Sequence, residues 1–165
     1  MADGVRTGAD ELQLVAFRLA GELFGLEIAH VSEIILPRAV TPVPGAATDI
    51  DGVINLRGRI VPIVNLRRRL RIAPAGGTEK SRIMVVEDAG SVVGLVVDTV
   101  TGVMRLPKSQ IEMASELALG VESRFVHGMA STGDALIILL NVERLLSVET
   151  AQAEAASDAL RRSAA

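Results

Sequence analysis

Hydrophobic residues along this chain gather in runs of strand length, broken by dipeptides that contain glycine. Leu12 to Ile28, LQLVAFRLAGELFGLEI, holds two such runs around Ala20-Gly21. Ser81 to Val97, SRIMVVEDAGSVVGLVV, repeats that plan around Ala89-Gly90. Each predicts a β-hairpin with glycine in the turn. In Ile54 to Arg69, INLRGRIVPIVNLRRR, the dipeptide Arg57-Gly58 predicts a third, because glycine takes positive φ at little cost. Pro62 cannot donate to a ladder, so its strand is expected to have a free edge or a bulge there.

The pattern is written twice. Gly25-Leu26 with Val31 and Ile34 matches Gly94-Leu95 with Val100 and Val103 at a constant offset of 69. Asp51 to Leu70, DGVINLRGRIVPIVNLRRRL, matches His127 to Leu146, HGMASTGDALIILLNVERLL, at an offset of 76. The offsets differ by an insertion within Pro107 to Arg124. In each copy an apolar run stops at an asparagine, Asn65 or Asn141, and asparagine is a good helix N-cap. Each copy therefore predicts about five short strands and a short helix after the last one. The fold expected is mainly β, two tandem five-stranded barrels sharing a core. Residues 1–11 read as a flexible lead-in, 12–147 as the folded domain with two interlocked halves, and 148–165 as an Ala-rich helix or tail.

Composition narrows what such barrels do. The 165 residues carry a net charge of −3, three Phe, and neither Tyr nor Trp. That weighs against nucleic acid, whose binding rests on phosphate neutralisation and base stacking. There is no cysteine, and two histidines offer little to a metal. No apolar run nears the roughly 18–20 residues of a membrane span, and the polar start has no signal-peptide core. A soluble cytosolic protein without cofactor is expected. No P-loop, dinucleotide-binding glycine motif or nucleophile–His–acid set is present, so no enzyme is expected. His30 and His127 do not coincide in the repeat, and Asp98 and Glu87 carry no mark of an acid–base pair.

Charge also distinguishes the copies. Arg67, Arg68 and Arg69 follow the Asn65 cap, where successive helical positions point about 100° apart, so they form no single basic stripe. Arg57 aligns with Gly133, and Glu33 with Gly102. An acid and a base thus stand in the first copy where the second has glycine twice. Residues the barrel itself requires tend to recur, whereas residues found in one copy are candidates for a task of that copy. The alternative is an ordinary surface pair, contributing about 0–1 kcal/mol.

These residues resemble a known family. GVINLRGRIVPIVNLRRRL is similar to the central motif of the CheW family, the coupling proteins of bacterial chemotaxis. FRLAGELFGLEIAHVSEII, GLVVDTVTGV and LIILLNVERLL resemble its other blocks in order and spacing, from Leu12 to about Ser147. Asn65 stands where many members have Asp, and Phe24 where many have Tyr. The resemblance implies two SH3-like barrels without catalysis that bridge the cytoplasmic tips of methyl-accepting chemoreceptors to the histidine kinase CheA. It implies contact with CheA's regulatory domain, possible pairing with further CheW copies, and recruitment to receptor arrays without membrane insertion. Glu33 and Arg57, with Val31 and Gly52, match positions near the receptor-contacting groove. Val15, Ile28 and Val31 match apolar positions that face the kinase, core packing being the plain alternative for all three. A scaffold of a non-flagellar chemosensory pathway, serving surface motility or gene expression, is the second reading.

Overall fold

A computed structural model describes residues 10–113 and 123–146. Of the lead-in expected over 1–11, residues 1–9 lie outside the described residues, while Glu11 already belongs to a strand. The terminal segment expected from 148 lies outside them as well. Among the described residues there are eleven strands: β1 (Glu11–Leu19), β2 (Glu22–Glu27), β3 (Val31–Ile35), β4 (Ile50–Leu56), β5 (Arg59–Asn65), β6 (Arg82–Asp88), β7 (Ser91–Val97), β8 (Thr99–Pro107), β9 (Glu112–Met113), β10 (Val126–Thr132) and β11 (Ala135–Leu140). The short helix α1 (Leu66–Arg69) follows β5, and a second turn of helix covers 142–146. The three predicted hairpins form. Ala20-Gly21, Arg57-Gly58 and Ala89-Gly90 all take positive φ at both residues, the pattern of a type I′ turn. Both predicted caps form as well, Asn65 Oδ1 accepting from the Arg68 N–H and Asn141 Oδ1 from the Arg144 N–H.

The strands sort into two sheets of SH3-like barrels, but not by copy. One sheet has the order β8-β1-β2-β11-β10-β9, the other β3-β6-β7-β5-β4. Each copy's first hairpin has therefore crossed into the other copy's barrel. Hairpin β1–β2 pairs with β8 and, in parallel, with β11; hairpin β6–β7 pairs with β3 and, in parallel, with β5. The two tandem barrels with interlocked halves expected from the repeat are present, and the interlocking is a reciprocal exchange of hairpins. Connection length explains it. To lie beside its own copy's first strand, the third strand would have to start on that strand's far side from the second, roughly 10 Å away. Between β7 and β8 stands one residue, Asp98, and a residue spans under about 4 Å.

Exchange gives most strands two buried faces, which is why they read as continuous apolar runs rather than alternating ones. Along β1, Val15, Phe17 and Leu19 face a central core shared by both barrels, while Leu14 and Ala16 fill the six-stranded barrel. Along β6, Met84 and Val86 face that central core, while Ile83 and Val85 fill the five-stranded barrel. Phe17 stacks on Phe24, ring centroids 5.9 Å apart, in the centre.

Pro62 sits neither on an edge strand nor at a bulge. β5 has neighbours on both sides, and Pro62 lies opposite Val53. The Val53 N–H and carbonyl both bond Thr41, so they point away from Pro62. On its other side the ladder with β7 begins only at Ile63. The proline therefore occupies a gap in which no donor is required.

The three successive arginines diverge, as their helical spacing demands. Arg67 reaches Asp98, Arg68 reaches Asp51 and the Thr48 carbonyl, and Arg69 reaches Asp49. Arg144, the repeat counterpart of Arg68, bonds the Arg124 carbonyl, the counterpart of Thr48. Burial pushes the Asp98 carboxyl up, but hydrogen bonds from Arg67 and the Ala20 N–H, with the Arg67 charge, outweigh it and hold the pKa below the usual carboxylate range. A depressed folded-state pKa contributes stability above the unfolded value near 4, lost as pH falls through the folded value. Asp98→Asn is thus expected to cost about 1 kcal/mol at pH 7, a figure discounted for screening at this 35% exposed side chain. Urea melts of both forms from pH 7 down to 2.5 would show the gap closing at the acid end; a constant gap would refute the assignment.

Candidate functional site

The candidate site lies at the mouth of the five-stranded barrel, and two backbone devices build it, of which the first is duplicated. The first is a β-bulge in β3. Val31 pairs with Val86 and Glu33 with Val85, leaving Ser32 over, its hydroxyl donating to the Val85 carbonyl at 3.2 Å. The same bulge recurs in β8, where Thr101, the counterpart of Ser32, donates to the Ala16 carbonyl at 3.1 Å. A bulge reverses which face the following side chain takes. Val31 therefore shares the central-core face of Val86, whereas Glu33 shares the barrel-side face of Val85 and emerges at the mouth.

The second device is the β4–β5 turn. Asn55 Oδ1 accepts from the Gly58 N–H at 2.8 Å, fixing the loop that carries Arg57. This is the physical content of the Asn-Leu-Arg-Gly motif. Arg57 holds φ 52°, and its counterpart Gly133 holds φ 63°. Arg57 Nη2 donates to Glu33 Oε2 across the mouth. The two copy-specific charges thus meet as a pair, whose counterparts Gly102 and Gly133 bear no side chain.

The structure separates the remaining expected site residues. Val15 is 4% exposed and belongs to the central core, so packing accounts for it and its side chain offers no surface. Ile28 and Val31 are half-buried against the same core and keep an outer face. Gly52 is buried at a bulge in β4, at φ 147°. A Cβ there would fall on the Thr41 carbonyl and lie 2.8 Å from Val40 Cγ1. Its counterpart Gly128 is pressed in the same way, a Cβ falling 2.5 Å from the Glu112 carbonyl oxygen. Gly52 is therefore a close-approach position of the barrel, recurring in both copies, and not part of the mouth.

Two mouth residues were missed from the sequence. Arg59 Nη1 lies 3.6 Å from Glu87 Oε1, and both line the same cleft as Glu33 and Arg57 over Leu56 and Val92. Their counterparts are Ala135 and Arg18, so the offsets that exposed Arg57 and Glu33 could have exposed them too. Glu87 and Asp98 serve different arginines. His30 and His127, unrelated by the repeat, line another cleft with Glu27, Asp88 and Glu143. His30 stands 3.5 Å from Glu27 and 3.6 Å from Asp88, and among the described residues no group of three or more ligands could hold a metal.

Comparison with known proteins agrees with this architecture. A model of the CheW-like domain matches residues 13–150. The chemotaxis protein CheW of Klebsiella aerogenes is 35% identical over 137 residues, covering 83% of this chain and 82% of that protein. The probable chemotaxis protein CheW of Rhizobium etli is 33% identical over 141 residues, covering 86% and 91%. Among solved structures, the scaffolding protein TtCheW from Thermoanaerobacter tengcongensis superposes with a TM-score of 0.75 at 37% identity, covering 79% of this chain and 84% of that one. Exchanged barrels, a repeated β-bulge and these likenesses together place the chain in the CheW family of chemotaxis coupling proteins.

Proposed function

We propose that this chain is a non-catalytic cytoplasmic adaptor that couples the tips of methyl-accepting chemoreceptors to the histidine kinase CheA. The observation that carries this reading is the Glu33–Arg57 pair, whose counterparts in the other copy, Gly102 and Gly133, have no side chain. Family membership supports the adaptor role, and the mouth is the feature by which one barrel differs from its twin. The receptor is assigned to that mouth. CheA's regulatory domain is assigned to the face bearing Ile28 and Val31, with Val15 behind them as core.

An adaptor with no chemistry of its own acts by holding two partners at once. Apolar contact supplies most of the association energy. A rim charge pair sets orientation and rejects wrong partners more than it adds affinity. Arg57→Gly is the clean variant, because the turn already needs positive φ and the other copy has glycine there. It is expected to weaken binding of a receptor-tip fragment about tenfold, or about 1.4 kcal/mol, with an unchanged melt. Calorimetric titration of that fragment, and separately of CheA's regulatory domain, checks both assignments. A variant that binds the receptor fragment as tightly as the parent removes Arg57 from the contact.

A further inference from the structure

We infer that Arg59 and Glu87 form a second recognition element of this mouth, reading two carboxylates on the segment that docks there; this rests on the proposed adaptor reading. The four charges are arranged in rows. Glu33 on β3 and Glu87 on the adjacent β6 form an acidic row, while Arg57 and Arg59 on the β4–β5 hairpin form a basic row facing it. All four are confined to this barrel, because the other mouth has Gly102, Arg18, Gly133 and Ala135 in their places.

The basic row is the one presented to a partner. Arg57 and Arg59 side chains are 70% and 55% exposed, against 29% and 44% for Glu33 and Glu87. Each guanidinium has five N–H donors in a planar fork, and the internal pairs occupy a minority of them. Arg57 sits in the turn and Arg59 opens β5 two residues later, which holds their backbones within about 7 Å of each other. Carboxylates one helical turn apart on a partner match that spacing. The acidic row holds the arginines in place and competes with the partner for them. Loosening that hold on Arg59 without removing Arg59 therefore strengthens docking.

This gives opposite signs to the two members of one ion pair. With a receptor-tip fragment as probe, Arg59→Glu is expected to weaken binding at least about tenfold, with a shallower salt dependence than the parent. Glu87→Gln is expected to tighten it about two- to threefold. Both positions are exposed, and both variants are expected to melt within a few degrees of the parent. If Arg57→Gly weakens binding while Arg59→Glu and Glu87→Gln leave it unchanged, this inference falls and the adaptor reading stands. If Glu87→Gln weakens binding, the pair is a structural strap and the inference falls. A parent chain that binds no receptor fragment overturns both.

Discussion

Arg69→Ala is expected to destabilise the protein by about 3–5 kcal/mol, the usual result of removing one partner from a buried ion pair. Arg69 is 4% exposed. Its guanidinium donates to Asp49, bonds the Leu145 carbonyl at 3.3 Å and stands 5.4 Å from the Phe125 ring centroid. Alanine would leave the Asp49 carboxylate poorly paired and open a cavity between the two halves. The repeat makes the prediction sharper. Leu145 is the counterpart of Arg69, and Phe125 is the counterpart of Asp49, so the other copy fills the same pair of positions with two apolar side chains. Replacing both partners together, Arg69→Leu with Asp49→Phe, is therefore expected to recover most of the loss. Urea unfolding of the parent, the single variant and the pair measures this directly. A single variant within 1 kcal/mol of the parent would show that Arg69 does not tie the halves together.

Gly52→Val should be comparably damaging, by about 3–5 kcal/mol, for a different reason. The residue sits at φ 147°, where a branched side chain is strained, and its Cβ would fall on the Thr41 carbonyl. Relief requires breaking both Thr41–Val53 hydrogen bonds, which close the edge of β4. Gly102→Ala is the control, since φ there is 140° but a Cβ would meet nothing within 4 Å. It is expected to show the backbone penalty alone, about 1–2 kcal/mol. Thermal melts of the two variants would separate crowding from backbone strain, and equal losses would refute the crowding argument.

Both predictions draw on side-chain surroundings that no run of letters displays. Arg69 reads as one of three surface arginines, and its burial follows from α1 meeting the second helix across the pseudo-symmetric junction. Gly52 sits among residues of a conspicuous motif, yet what presses on it comes from Thr41, eleven positions earlier. The repeat offsets mark Arg59 and Glu87 one by one, but they lie 28 residues apart on strands of different copies, so only the fold shows that they meet. The hairpin exchange makes those strands parts of one barrel.

What the sequence determines by itself is local. Paired positive-φ turns at Ala20-Gly21, Arg57-Gly58 and Ala89-Gly90 follow from short-range sterics, and the two asparagine caps follow from hydrogen bonds within four residues. The duplication, and with it the copy-specific charges, is equally open to inspection. What only the tertiary structure decided is which strands pair and which way their side chains face. Two copies with the same apolar pattern offer nearly the same contacts to either hairpin, so pattern energy does not choose between them. Chain connectivity does, because a single residue between β7 and β8 cannot carry the chain across a strand. One unpaired residue at Ser32 then turns Glu33 from the face of Val31 to the barrel mouth, where it meets Arg57.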